Sequence, residues 1–181
     1  MKSEPTQRAA LLPCFQPEPA AEQLAADLVN YVVLHVGPGN RHKDWPSAKW
    51  TGPGQRLSTN GFRLVFAGAP SEAAGATEVR TALGGEDLVG RLDLRGLVSI
   101  DTMAGHLAAC FQTPTAVVCS SAVPSHLWRP TQPFVRTVTH QVPRAPCNRR
   151  QGCPAMTCLH TVESEMVYRA LRDVMQAKSQ S

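Results

Sequence analysis

The sequence predicts an α/β fold, a Rossmann-like parallel sheet with helices on both faces. Short apolar segments rich in Val, Leu and Phe recur at 31–36, 62–68, 97–100 and 115–120, without the alternating polar face of a half-exposed strand. Helix-favouring segments separate them, and strand–helix alternation is the pattern of a parallel sheet. At 181 residues, 43% hydrophobic and 18% charged, the chain is long enough to bury one core of its own.

Taken in order, residues 1–30 read as a loose head carrying one helix, EPAAEQLAADLVN (17–29), and residues 31–181 as the domain. YVVLHV (31–36) is a buried strand ending in the Gly/Pro loop GPGNRHKDWP. A helix opens near Pro46 and is expected to break at Gly52-Pro53-Gly54, since an interior proline costs a helix about 3 kcal/mol. FRLVFAG (62–68) is a strand, 71–83 a helix, LVSI (97–100) a strand, 102–111 a helix and TAVVCS (115–120) a strand. FVRTVTH (134–140) closes the sheet. A Cys/Pro-rich loop (143–160) leads to a last helix capped by Thr161, with Met166, Ala170, Leu171, Val174 and Met175 as its apolar stripe.

The net charge of +4 is scattered, with no basic block to track a nucleic acid. Glu4 and Pro5 stand where a secretory signal needs an apolar core, and no window is long enough to cross a bilayer. A cytoplasmic protein without a membrane span is expected, with its six cysteines reduced.

In a doubly wound sheet, ligands bind at the carboxyl ends of the strands. Three candidate groups fall there: Lys43 in the loop after 31–36, Glu72 after 62–68, and the corner Asp101-Thr102 with His106. A lysine and a helix N-terminus hold phosphates, and a carboxylate accepts hydrogen bonds from ribose hydroxyls, so together they describe a nucleotide. Each also has a plainer reading: Asp101 as a helix cap, Lys43 as a solvated charge, Glu72 as a partner of the helix dipole, His106 as a histidine beside the core. Their common location favours a site. Cys147, Cys153 and Cys158 with His160 are the metal candidates, but spacings of five and four residues do not match the close pairs of structural zinc sites, so neither metal nor cofactor is expected.

The ordered segments HVGPGNRHKDWPSAKW, FRLVFAGAPSEA, DLVGRLDL, SIDTMAGHLAACFQTPTAVV, SHLWRP and CLHTVESEMVYRAL resemble the C-terminal half of glycosyltransferase family 9, the ADP-heptose:lipopolysaccharide heptosyltransferases, from residue 31 to about 177. The resemblance implies a GT-B fold, in which the C-terminal Rossmann-like domain holds the nucleotide sugar. Lys43 would then contact the diphosphate, Glu72 the ribose, and Asp101-Thr102 with His106 the phosphates, Met103 standing at the motif's glycine. The segment between Leu92 and Leu97 is shorter than the family's helix there.

The family's acceptor site and catalytic base lie in an N-terminal domain, and thirty residues before the first matching strand are too few for one. No catalytic residue is therefore assigned. The expectation is a donor-binding half that takes a nucleoside-diphosphate sugar, ADP-sugar above others, for lipopolysaccharide assembly at the inner membrane. It would act only with a separate acceptor-binding chain. The alternatives are a diverged, non-catalytic remnant serving protein contacts, and a zinc-dependent interaction module.

Overall fold

A computed structural model describes residues 30–37, 44–91, 103–110, 112–122, 124, 130, 132–148 and 153–180. The expected helix at 17–29, the strand at 97–100, the segment after Leu92, and Lys43, Asp101 and Thr102 lie outside the described residues. The chain runs β1 (Tyr31–His35), α1 (Ser47–Thr59), β2 (Arg63–Ala67), a 3-10 turn (Pro70–Glu72), α2 (Ala73–Leu83), β3 (Glu86–Asp87), α3 (Met103–Cys110), β4 (Thr115–Val118), β5 (Val135–Val138), α4 (Thr157–His160) and α5 (Ser164–Ser179). The strand–helix alternation is as expected. β3 is an addition: Glu and Asp disfavour strands, and this pair is recruited by its place beside β2.

All described pairings are parallel. One sheet has the order β1-β2-β3, with Tyr31 opposite Arg63 and His35 opposite Ala67; β4 and β5 form a second pair, with Thr115 opposite Val135. Consecutive residues Leu64, Val65, Phe66 and Ala67 of β2 are all buried, so helices and chain cover both of its faces. Leu34, Val36, Leu57, Leu64, Phe66, Ala76 and Val79 form the main core beneath α1 and α2. Trp45, Val138, Val162 and Val167 form a second cluster where α5 meets the β4–β5 pair.

The expected break at Gly52-Pro53-Gly54 does not occur: α1 is continuous from Ser47 to Thr59 with Pro53 inside it. Proline has no N–H for the carbonyl four residues back, here that of Lys49. Ser164 at the start of α5 supplies the missing donor, its Oγ–H bonding Lys49 O at 2.6 Å. The flanking glycines let the helices approach. A Cβ on Gly52 would lie 2.9 Å from Ser164 Cβ, and one on Gly54 2.3 Å from Leu83 Cδ1 of α2. The tripeptide is a packing surface for two helices.

The C-terminal segment also departs from expectation. Residues 157–160 form the short helix α4 instead of loop, and Thr161 does not cap α5 but returns its hydroxyl to Thr157 O at 2.7 Å; Glu163 holds the cap position. Val167 and Val174 are the buried residues of α5, while Met166, expected on the apolar stripe, is 38% exposed. Ala170, Leu171 and Val174 of the expected stripe do pack inward, and Val167 takes the place of Met166 because α5 packs on α1 as well as on β4 and β5.

Candidate functional site

β1 and β2 end side by side, and the chain that leaves each of them closes around Glu72. Past β2 the chain passes Gly68 into the 3-10 turn, whose last residue is Glu72. Its carboxylate reaches back to the turn's own start, Oε2 accepting the Ala69 N–H at 2.7 Å. From the end of β1, His35 Nε2 lies 3.3 Å from the same oxygen. The Glu72 side chain is 2% exposed, and among the described residues its Oε1 is buried without a hydrogen-bond partner. Burying a carboxylate oxygen unpaired costs free energy, so such an atom in a folded protein calls for an explanation.

Two glycines make room for it. Gly37 has φ +109°, where a side chain is strained, and a Cβ there would stand 3.1 Å from Glu72 Cβ. A Cβ on Gly68 would stand 2.9 Å from Oε2. Beside them the Gly90 N–H bonds Gly68 O at 3.0 Å and the Leu88 N–H bonds Phe66 O at 2.8 Å, so the segment after β3 extends the ladder along this edge.

The rim is acidic. Partial burial holds the Asp44 carboxyl above its ordinary range, and the charges of Glu78 and Glu72 push it the same way. A hydrogen-bond donor fits beside these groups better than an anion does.

Of the residues singled out in the sequence, Glu72 is at the centre of this strand-end site. His106 is exposed on α3, and Met103 is that helix's first residue. Since Met103 adopts helical backbone, the position does not demand the conformational freedom of glycine. Gly105 brings α3 against β4, where a Cβ would meet Val117 Cγ2 at 2.9 Å. Cys158 is buried with Met156 and Leu159, Cys153 packs against that cluster, and Cys147 lies in the preceding loop. Among the described residues no three His, Cys, Asp or Glu side chains gather to hold a metal.

His35, Gly37, Asp44 and Gly68 were not singled out. The signal was present in the His-Val-Gly and Ala-Gly-Ala sequences that follow the two strands, where a small residue at a strand end permits close approach.

These features define a Rossmann-like α/β domain of the kind found in GT-B enzymes. The fold is similar to E. coli ADP-heptose lps heptosyltransferase II, with a TM-score of 0.67 at 15% identity over 91% of this chain and 54% of that one. It is similar to the family 9 glycosyl transferase of Veillonella parvula DSM 2008 (TM-score 0.67, 14% identity, 87% and 51%). It also resembles E. coli heptosyltransferase WaaC with ADP (TM-score 0.60, 18% identity, 85% and 48%). The chain thus spans about half the length of the heptosyltransferases it matches. Among curated proteins none matches it significantly. The chain belongs to glycosyltransferase family 9 (heptosyltransferase), whose sequence pattern matches residues 4–156.

Proposed function

We propose that this domain is the donor-binding half of a heptosyltransferase-like enzyme and takes a nucleoside-diphosphate sugar at the ends of β1 and β2. The observation that carries the reading is Glu72: a buried carboxylate with one oxygen held by the Ala69 N–H and the other unpartnered among the described residues. Ribose hydroxyls are donors of the kind that oxygen lacks, and a relative of similar fold is described with ADP. The acidic rim suits the ribose end of the ligand. On this reading the diphosphate is held by Lys43, the Asp101-Thr102 corner and His106, as the family resemblance implies.

Transfer then needs an acceptor-binding half with a base to activate the acceptor hydroxyl, on this or another polypeptide. A cytoplasmic setting in lipopolysaccharide assembly follows from the same reading; among the described residues no helix is long and apolar enough to cross a membrane.

Calorimetric titration with ADP, UDP, GDP and their sugar conjugates tests this. ADP and ADP-sugar should bind, and Glu72→Gln should weaken them about 10- to 100-fold, the worth of a hydrogen bond to a charged group. No binding by folded wild-type protein at millimolar nucleotide would remove the reading. It would leave the second one, a non-catalytic domain using protein contacts, which Tyr31 and Val33 favour by being 40% and 51% exposed on β1. A monodisperse monomer that melts cooperatively would count against that alternative.

A further inference from the structure

We infer that His35 is a positioning residue for the ligand-binding carboxylate, acting on nucleotide only through Glu72; the inference rests on the nucleotide reading above. A glutamate turns easily about its last torsion, and either oxygen can then face a ligand. Here the choice is made twice over. Oε2 receives the Ala69 N–H from its own turn at 2.7 Å and faces His35 Nε2 from the neighbouring strand at 3.3 Å. With Oε2 held, Oε1 is the oxygen left for a ligand hydroxyl, and it is buried.

The backbone contact alone fixes one point and leaves the carboxylate plane to pivot about it. The imidazole, 20% exposed at the end of a strand whose register is set by the Leu34–Phe66 and His35–Ala67 pairings, faces that same oxygen from another direction, so that Oε2 is kept on the protein side and Oε1 is left for a ligand. Gly37 and Gly68 are the positions where a larger side chain would displace the carboxylate from this arrangement. A binding group held by its neighbours loses less freedom when the ligand arrives, so the neighbour contributes affinity without touching the ligand.

The experiment is calorimetric titration with ADP of wild type, His35→Leu, His35→Gln, Glu72→Gln and the double variant His35→Leu/Glu72→Gln, each first shown to unfold cooperatively. His35→Leu should weaken ADP by about tenfold. His35→Gln, whose amide N–H reaches a similar point, should restore most of the loss. In the Glu72→Gln background His35→Leu should change affinity by less than about twofold, because the residue it steers no longer carries charge. A purely structural role would give the same loss in both backgrounds, and that result overturns the inference, as does wild-type affinity in His35→Leu. A wild type that binds no ADP instead overturns the nucleotide reading and this inference with it, so the two failures are told apart by the wild-type titration.

Discussion

Ser164→Ala should destabilise the protein by about 1–2 kcal/mol, and most of that cost should depend on a residue in another helix. In α1, Pro53 cannot donate to Lys49 O, and the Ser164 hydroxyl does so at 2.6 Å. A hydrogen bond contributes about 0.5–1.5 kcal/mol net, and a buried acceptor left without a donor costs about 1–3 kcal/mol. The site is only partly buried, so water recovers some of the loss and the lower half of that range applies. In a Pro53→Ala background the helix regains its own N–H for Lys49 O, and the same Ser164→Ala change should cost about 0.5 kcal/mol. The coupling, about 1 kcal/mol, exceeds the roughly 0.3–0.5 kcal/mol scatter of independent sites. Urea unfolding of the four proteins, followed by circular dichroism and by tryptophan fluorescence with unchanged m values, measures it. Additive effects would show that the hydroxyl does not replace the missing N–H, and the account of the unbroken helix would be wrong.

Gly68→Ala should lower ADP affinity about tenfold while leaving the fold intact. The position has no left-handed backbone to strain, and the added Cβ would stand 2.9 Å from Glu72 Oε2; titration calorimetry beside a thermal melt separates the two effects. Asp44→Asn should raise the melting temperature near neutral pH. Because its carboxyl is held above the ordinary value of 3.8, the folded state keeps a proton that the unfolded chain has released, and stability falls as pH rises through that window. The gain from Asp44→Asn should therefore vanish at pH values below 3.8, and a gain that persists there would refute the assignment. Trp45→Phe should cost about 2 kcal/mol in chemical unfolding, since it empties part of a buried cluster and removes the indole N–H bond to Val162 O at 3.0 Å; a loss below about 0.5 kcal/mol would contradict the packing.

The strands and the main helices were legible because burial imposes a pattern on neighbouring residues: β2 is apolar at every position because both its faces are covered. What escaped the sequence depends on partners far along the chain. Gly-Pro-Gly reads locally as a break, and only Ser164, more than a hundred residues on, turns it into continuous helix. β3 is a strand because Phe66 O takes the Leu88 N–H, not because Glu and Asp favour one. Thr161 has the chemistry of a cap, but a short helix upstream takes its hydroxyl. In the candidate site, Glu72 stood out as a carboxylate at a strand end. Its neighbour His35 looked like part of a buried strand, because the contact between them joins the end of β1 to the turn after β2, with α1 and β2 between them in sequence.

The tie between the start of α1 and the segment that leads into α5 bears on when the candidate site is complete. Lys49 donates to His160 O at 2.6 Å and to Val162 O at 3.0 Å, and the Trp45 indole donates to Val162 O as well, across 111, 113 and 117 residues of sequence. Contacts so distant in sequence are slow to form, because the intervening chain must first be closed into a loop. The sheet order β1-β2-β3 can assemble while synthesis is under way, but Trp45 and Lys49 gain these anchors only when residues 160–163 have emerged. A partly made chain therefore carries Glu72 before Trp45 and Lys49 are anchored, and the surroundings of this carboxylate are completed only when residues 160–163 have joined them.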